Sequence, residues 1–243
     1  MRNALFGDIH GNLEALEAVL GDAAKQDIEN YFCLGDVVGY GANPKECISR
    51  VQALECPVVK GNHDEDASTT GELYGRSRLA QAAMVWTREQ LDADEKRWLR
   101  ELNLQHQADG FTVVHASLSD PVSWPYVLSE LKAISSFAYQ CFPICFIGHT
   151  HSPITYIHDK QTGEVESQKD ELFKIDSEKQ YLVNVGSTGQ PRDGDWRASY
   201  AVYDSQRATV EIRRLEYDID TACEKILRAD LPPALAERLR LGR

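Results

Sequence analysis

Five short apolar runs in this sequence each end just before Asp or His, and no other feature constrains the fold as strongly. In one of them, Val58-Val59 leads through Lys60-Gly61 into Asn62-His63-Asp64. An apolar run that ends in a glycine turn is typical of a β-strand whose next residues lie at the rim of a sheet. The other four are Leu5-Phe6-Gly7-Asp8-Ile9-His10, Phe32-Cys33-Leu34-Gly35-Asp36, Val113-Val114-His115 and Phe146-Ile147-Gly148-His149-Thr150-His151.

The first 60 residues alternate predicted strands with predicted helices. Strands are predicted at 4–7, 31–34 and 58–59. Asn12 is a predicted helix cap, and Asn43-Pro44-Lys45-Glu46 has the cap, proline and acid that begin a second helix. This β-α-β-α-β order is typical of a parallel sheet, in which sites lie at the carboxyl ends of the strands.

The rest of the chain predicts a loop, three helices and a strand-rich region before two closing helices. Residues 65–77 are polar and predict a loop near the site. Short half-polar runs between 154 and 213 predict antiparallel strands that form a second sheet packed against the first. We expect one α/β domain over residues 1–243. The remaining predicted elements are helices at 78–89, 92–102, 130–139, 218–228 and 233–241 and strands at 111–114 and 144–147.

Composition limits the compartment and the partners. The chain is 42% hydrophobic, so a sizeable core is available, and it has no apolar run long enough to span a membrane. The N-terminal residues lack the features of a signal peptide, which predicts a cytoplasmic protein with six reduced cysteines. A net charge of −12 argues against general binding to nucleic acid or to an anionic membrane. A small phosphate ester stays compatible with this charge, because cations in a cleft dominate the local field.

The residues that follow the five runs have the chemistry of metal ligands. Carboxylate, imidazole and amide oxygen together suit divalent manganese, iron, nickel, cobalt or zinc. Asp8 and His10 are two residues apart on an extended segment and can face one ion, whereas His149 and His151 could face two neighbouring ions. The candidate set consists of Asp8, His10, Asp36, Asn62, His63, His115, His149 and His151.

These blocks resemble the calcineurin-like metallophosphoesterases, whose motifs read D-x-H, G-D-x-x, G-N-H-[DE], H and G-H-x-H in this order. All five motifs are intact between residues 8 and 151. The resemblance implies a four-layer α/β/β/α sandwich of two packed mixed sheets, with a metal site at the carboxyl ends of the strands. It also implies two divalent metal ions, with manganese foremost and iron, nickel, zinc, cobalt or magnesium as alternatives.

The resemblance further assigns roles to the matching positions. Asp8, His10 and His151 would hold the first metal, and Asn62, His115 and His149 the second. Asp36 would bridge both metals.

His63 would lie near the leaving oxygen of the substrate and assist its departure. Asp64 would be either a residue that orients the site or a helix cap. The block Asn184-Val185-Gly186-Ser187-Thr188-Gly189-Gln190-Pro191-Arg192 offers Arg192 as a phosphate contact, with pairing to Asp193 or Asp195 as the alternative.

The implied function is hydrolysis of a phosphodiester, nucleotide-like in one version, or of a phosphomonoester, by in-line attack of a metal-bridging hydroxide. The form Gly-Asp-Ile-His-Gly-Asn with Gly-Asn-His-Asp resembles the small bacterial and archaeal phosphodiesterase branch. Protein serine/threonine phosphatases and dinucleoside tetraphosphatases carry an arginine soon after the residue that matches Asp36, and this chain lacks it. These two activities remain alternatives, as does a non-catalytic scaffold. The expected partner is a small phosphate ester, and the C-terminal helices leave room for a homo-oligomer.

Overall fold

The protein is described here by a computed structural model of residues 1–243, which contains eleven strands and eight helices. The strands are β1 (Arg2–Phe6), β2 (Asn30–Cys33), β3 (Gln105–Ala108), β4 (Phe111–Val114), β5 (Ile144–Ile147), β6 (Ile154–Asp159), β7 (Val165–Gln168), β8 (Leu172–Lys174), β9 (Lys179–Asn184), β10 (Ala198–Asp204) and β11 (Thr209–Leu215). The helices are α1 (Leu13–Ala23), α2 (Pro44–Gln52), α3 (Asn62–Ser68), α4 (Arg78–Gln90), α5 (Ala93–Glu101), α6 (Glu130–Phe137), α7 (Ile219–Arg228) and α8 (Pro233–Leu241).

The strands form two mixed sheets. The five-stranded sheet has the order β2-β1-β10-β11-β8, and the six-stranded sheet has the order β3-β4-β5-β9-β6-β7. Strands β1 and β2 pair in parallel in the first sheet, and β4, β5 and β9 pair in parallel in the second. The predicted arrangement, in which the C-terminal strands form a sheet of their own, is therefore wrong, because those strands complete both sheets.

The two sheets pack face to face, and helices cover both outer faces. Side chains from both sheets, such as Leu5, Phe146 and Tyr203, form the buried layer between them. The outer face of the five-stranded sheet packs against α1 and its neighbouring helices, and the outer face of the six-stranded sheet packs against α6. This arrangement confirms the predicted four-layer α/β/β/α sandwich.

Three local predictions differ from the structure. Val58 and Val59 form only isolated bridges, to Cys33 and to Asn103, so the third predicted strand is a two-residue contact. Helix α3 begins at Asn62, so only the later part of the predicted loop at 65–77 is non-helical. Strand β3 was not predicted, because its sequence Gln-His-Gln-Ala has no apolar alternation.

The helix starts follow the predicted chemistry in most cases. Asn12 accepts a hydrogen bond from the Ala15 amide, and Asp92 forms a capping box with Glu95. Asn43 makes no side-chain cap, so α2 begins with Pro44 alone at its first position. No helix is both long and apolar enough to cross a membrane.

Candidate metal centre

The predicted ligands converge at one rim of the sandwich, where they draw on both sheets. Asp8 and His10 follow β1 and Asp36 follows β2, all from the five-stranded sheet. The other three histidine ligands, His115, His149 and His151, follow strands β4 and β5 of the six-stranded sheet, and Asn62 is the first residue of α3. All seven side chains are buried, with at most 4% of any residue exposed: Asp8, His10, Asp36, Asn62, His115, His149 and His151.

Two groups of these side chains have ligand atoms within 4.8 Å of one another. We call them the first position and the second position, and Asp36 belongs to both. The first position consists of Asp8, His10, Asp36 and His151, and the second of Asp36, His115 and His149, with Asn62 beside it.

The backbone at the centre is strained. Asp8, His10, Asp36, His149 and His151 all have positive φ angles, between 49° and 66°. Residues other than glycine seldom adopt this region, and such strain concentrates at functional sites. Surrounding backbone bonds hold it in place; the Asp8 amide, for example, donates to the Gly35 carbonyl at 2.9 Å.

Each of the two carboxylates uses one oxygen for the backbone and leaves the other inside the centre. Asp8 Oδ2 accepts from the His149 amide at 2.8 Å, and Asp36 Oδ1 accepts from the His63 amide at 2.7 Å. The inner oxygens lie close to imidazoles: Asp8 Oδ1 is 3.2 Å from His151 Nε2, and Asp36 Oδ2 is 3.4 Å from His115 Nε2. Asp8 Oδ1 has no hydrogen-bond partner although it is buried.

The histidines are oriented by backbone carbonyls behind them. Nδ1 of His10 contacts the Val38 carbonyl at 3.1 Å, and Nδ1 of His151 contacts the Gln190 carbonyl at 2.6 Å. A carbonyl only accepts, so each Nδ1 carries the proton and each neutral ring has its lone pair on Nε2. His115 is held in the same way by the Leu34 carbonyl at 2.7 Å.

This orientation places two lone pairs against each other. The Nε2 atoms of His10 and His151 are 3.0 Å apart. Burial, reinforced by neighbouring positive groups, holds the pKa of both rings below its ordinary value, so both are neutral at pH 7. Two facing acceptors beside a buried carboxylate are unfavourable in the protein alone and favourable around a cation. The residues of the first position therefore fit a divalent metal.

The charges of the second position are more balanced. Burial alone would lower the pKa of His115, but Asp36 and then Asp8 outweigh it and raise the pKa to about 9. For Asp36 the two effects have opposite signs: burial alone would raise the pKa of its carboxyl, but His115 and His63 hold that pKa well below its ordinary value. Burial lowers the pKa of His149 to about 3.

The Asn62 side chain, which is predicted to bind a cation, can instead form hydrogen bonds with protein groups. One end of its amide lies 2.9 Å from His149 Nδ1, and the other end lies 3.1 and 3.2 Å from Nη2 and Nη1 of Arg76. With its NH2 toward His149 and its oxygen toward Arg76, the amide donates to the imidazole and accepts from the guanidinium. With its oxygen toward His149, it would instead share a cation with that imidazole.

His63 lies beside the first position with a free ring nitrogen. Its Nδ1 is buried and has no hydrogen-bond partner. The ring packs edge-on against His10, with 4.8 Å between centroids, and tilts against Tyr40 at 4.7 Å. Burial lowers the pKa of His63 to about 4, and the charges of Arg76 and Arg192 act in the same direction.

Asp64 contacts the backbone and not the His63 ring. Its carboxylate accepts from the amides of Asp36 at 2.7 Å, Val37 at 2.8 Å and Gly61 at 3.0 Å. The Gly61 bond is a helix cap, which was one of the two predicted alternatives, and the other two bonds hold the turn that carries Asp36. Burial, and then the charge of Asp36, raise the pKa of Asp64 to about 7.

Arg192 faces the centre. Its Nη2 donates to the side chain of Gln190 at 2.8 Å, and its guanidinium lies over the Tyr40 ring, 5.7 Å from the centroid. The alternative pairing with Asp193 or Asp195 is wrong. Asp193 pairs with Arg214, and Asp195 pairs with Arg197.

Three residues at the centre were not predicted from the sequence. Tyr40 touches His10 and His63, Tyr126 stacks on His149 with 4.1 Å between ring centroids, and Arg76 reaches Asn62. Tyr40 lies between Gly39 and Gly41, and this glycine-flanked position is the only feature of the sequence that indicates a special role for it. Tyr126 and Arg76 lie in loops whose path the sequence does not specify.

Comparison with known proteins agrees with this centre. Residues 1–208 match the model of the calcineurin-like phosphoesterase superfamily domain. The uncharacterized protein MJ0912 of Methanocaldococcus jannaschii is 38% identical over 244 residues, which cover 99% of this chain and 98% of the relative.

Two solved structures share the fold over the whole chain. The metallophosphoesterase from Sphaerobacter thermophilus has a TM-score of 0.90 and 36% identity, with 100% of this chain and 99% of that chain covered. The hypothetical protein PH1004 from Pyrococcus horikoshii OT3 has a TM-score of 0.80 and 20% identity, with 100% and 98% covered. The chain therefore belongs to the calcineurin-like phosphoesterase superfamily and is a phosphoric ester hydrolase, as its motifs predict.

Proposed function

We propose that this chain is a two-metal phosphodiesterase that hydrolyses a small, nucleotide-like phosphodiester and, as a second substrate class, a phosphomonoester. The carrying observation is the pair of facing Nε2 atoms of His10 and His151, 3.0 Å apart beside the partnerless Asp8 Oδ1. Burying these polar atoms without hydrogen-bond partners costs free energy, and a divalent cation bound between them would offset that cost.

We assign one metal to each position. Asp8, His10 and His151 would hold the first ion, with Asp36 shared between the two. When bound, such ions acidify water to supply a nucleophile and stabilise the negative charge that develops on phosphate oxygens. Manganese is the proposed ion, although the donor types accept several others. The second ion would be held by Asn62, His115 and His149.

His63 is the proposed residue for the leaving oxygen. Its Nδ1 is buried against Gly39, so the substrate would meet the other ring nitrogen, Nε2, which is not enclosed in this way. Tyr40 and His10 pack against the ring and limit its rotation, which keeps the nitrogen available in one direction. Gly39 leaves the space for this packing, since a Cβ there would lie 2.6 Å from His63 Nδ1.

Arg192 is the proposed contact for a substrate phosphate. Its Nε is buried and has no partner, and its ring partner Tyr40 links it to the first position. A guanidinium with free N–H groups matches the geometry of phosphate oxygens.

We also propose that residues 1–243 act as one domain in the cytoplasm. Helices α7 and α8 support the single domain, because Ala222, Leu235 and Leu239 share a buried cluster with Leu16 of α1. A pocket next to His10 and Tyr40 is lined by residues of α7 and α8, so the C-terminal helices also border the centre.

The test combines metal analysis with hydrolysis of an aryl phosphodiester and an aryl phosphomonoester, before and after chelation and with manganese added back. We expect about two metals per chain and diesterase activity that is lost on chelation and restored by manganese. His63→Ala should lower kcat by about 10²–10⁴-fold with unchanged metal content. His106→Ala, on β3 away from the centre, is the matched control.

A protein without bound metal or metal-dependent turnover would contradict the proposal and favour the scaffold alternative. Adding a phosphopeptide, diadenosine tetraphosphate and cyclic nucleotides to the panel identifies the substrate class. A clear preference for the phosphopeptide or the dinucleotide would replace the small phosphodiester as the proposed substrate.

A further inference from the structure

Arg76 is a charged side chain at the second position to which the proposed function gives no role. It lies between α3 and α4, and 27% of its side chain is exposed. Its Nε donates to Asp66 Oδ2 at 2.7 Å, while Nη1 and Nη2 both point at the Asn62 amide. The guanidinium is thus anchored by one edge and presents its other N–H groups to the centre.

The segment that carries Arg76 is held close to the centre by a second arginine. Arg88 of α4 donates from Nε to the Asp66 carbonyl at 2.8 Å and from Nη1 to the Gly71 carbonyl at 3.0 Å. Asp66 and the chain after it are therefore fixed to α4, and the anchor of Arg76 is fixed with them.

The two N–H groups of Arg76 are occupied only while the Asn62 oxygen faces them. When that oxygen turns toward His149 to serve a cation, the Asn62 NH2 group faces Nη1 and Nη2, donor against donor. Arg76 must then find an acceptor. Two terminal N–H groups at a metal centre that handles phosphate match two oxygens of that phosphate.

Arg192 is a second arginine at the centre, and its place can be compared with that of Arg76. Arg76 reaches the amide of Asn62, which precedes His63 in the chain. Arg192 lies over the ring of Tyr40, whose centroid is 4.7 Å from that of His63. Arg192 is linked to the first position through Tyr40, whereas Arg76 is linked to the second through Asn62. The two arginines therefore border different positions of one centre.

We propose that Arg76 binds the substrate phosphate, with Nη1 and Nη2 on two non-bridging oxygens and with Asp66 as its positioning residue. The inference rests on the proposed function, because it requires a phosphate at the centre. It adds a contact that none of the five motifs contains, in the segment 65–77 that the sequence predicts to lie near the site.

The test is calorimetric titration of orthophosphate into protein loaded with two equivalents of manganese and freed of excess metal. We expect Arg76→Ala to weaken phosphate binding by about tenfold or more, as the loss of charged hydrogen bonds predicts. Arg76→Lys should recover part of the loss, because it restores the charge without the paired N–H groups. The matched control is Arg78→Ala, whose side chain is exposed and makes no hydrogen bond or ion pair.

The same variants are then assayed for metal content and turnover. A phosphate contact predicts unchanged metal content and a KM that rises more than kcat falls. Equal phosphate affinity in the Arg76 and Arg78 variants would overturn the inference. Loss of one metal in Arg76→Ala would also overturn it, because Arg76 would then act through Asn62 alone. If wild-type protein binds orthophosphate through Arg76 but hydrolyses no ester, the proposed function has failed and the phosphate contact stands.

Discussion

The first and second positions share Asp36 and lie at the same rim of the sandwich. They differ in whether their ligand side chains have favourable hydrogen-bond partners within the protein when no cation is bound. At the first position, Nδ1 of His10 and of His151 is bound by a carbonyl and the Nε2 atoms face each other. The protein alone has no favourable alternative for these groups. At the second position, Asn62 has one, since its oxygen can pair with Arg76 and its NH2 with His149.

This difference indicates an order of filling. A cation at the first position relieves unfavourable contacts, whereas a cation at the second must replace hydrogen bonds that already satisfy Asn62. We therefore expect the first position to bind more tightly and the second to exchange more readily.

The largest effect is expected from Asp36→Ala, which removes the carboxylate that the two positions share. Both metals should be lost, and turnover should fall by about 10³-fold or more, which corresponds to several kcal/mol of charge stabilisation. Metal analysis and hydrolysis of an aryl diester provide the measurement, with the exposed Asp170→Ala as control. Retention of one tightly bound metal would mean that the positions do not depend on a common ligand.

Single-ligand variants should separate the positions. His151→Ala removes a donor of the first position only and should lose the tight metal, while His149→Ala should keep one metal per chain. We expect affinity losses of about 100-fold or more at the altered position, since loss of a direct ligand costs more than the roughly 10–100-fold lost with a residue that only orients a ligand. Calorimetry with manganese would contradict the contrast if the remaining metal bound with equal affinity in both variants.

Stepwise loading of chelated protein should resolve two binding events. The contrast predicts that the second dissociation constant exceeds the first by about tenfold or more, because about 1.4 kcal/mol or more of Asn62 hydrogen bonding must be exchanged. Calorimetry with manganese measures both constants. Arg76→Ala removes the hydrogen-bond partner of the Asn62 oxygen and should therefore reduce the ratio of the two dissociation constants. An unchanged ratio would show that another feature determines it.

The smallest effect on the centre is expected from a remote change. Asp22 accepts from Tyr200 and from Arg213 Nε, both at 2.7 Å. Burial alone would raise the pKa of Asp22, but these hydrogen bonds outweigh it and lower the pKa. Asp22→Asn should therefore cost about 1 kcal/mol of unfolding free energy at pH 7 and change neither metal affinity.

The pH dependence of that stability difference has a definite sign. A lowered pKa in the folded state stabilises the fold above the ordinary pKa of about 4, and the contribution is lost as the pH falls through the folded-state pKa. Denaturant unfolding of both proteins between pH 7 and pH 3 should show the two curves converging at the acid end. Parallel curves would show that the Asp22 carboxylate contributes no charge-dependent stability.

The sequence predicted most elements of the fold but not how the sheets divide. Helices α7 and α8 and strand β5 have clear periodicity or apolar runs, and their predicted positions agree with the structure. Sheet membership depends on long-range pairing, such as β1 with β10, and local patterns do not encode it. Strand β3 is held by pairing with β4 despite a polar sequence, so tertiary context decides it.

For the site, motifs identified residues whose types and spacing are locally visible. The convergence of Asp8, Asp36 and His115 follows from strand ends that share a rim. The Arg76 contact with Asn62 depends on loop geometry, and the positive φ of Asp36 depends on the surrounding backbone bonds, so neither has a signature in the sequence.

The placement of the ligands on two different sheets ties the chemistry to the hydrophobic interior. Asp8 and Asp36 move with the five-stranded sheet, and His115 and His151 move with the six-stranded sheet. The gap between the sheets is filled by rings such as Phe146 and Tyr203, 5.5 Å apart between centroids. The distance between the two halves of the ligand set therefore depends on the core side chains between the sheets, so a substitution in that layer can alter metal binding without touching a ligand.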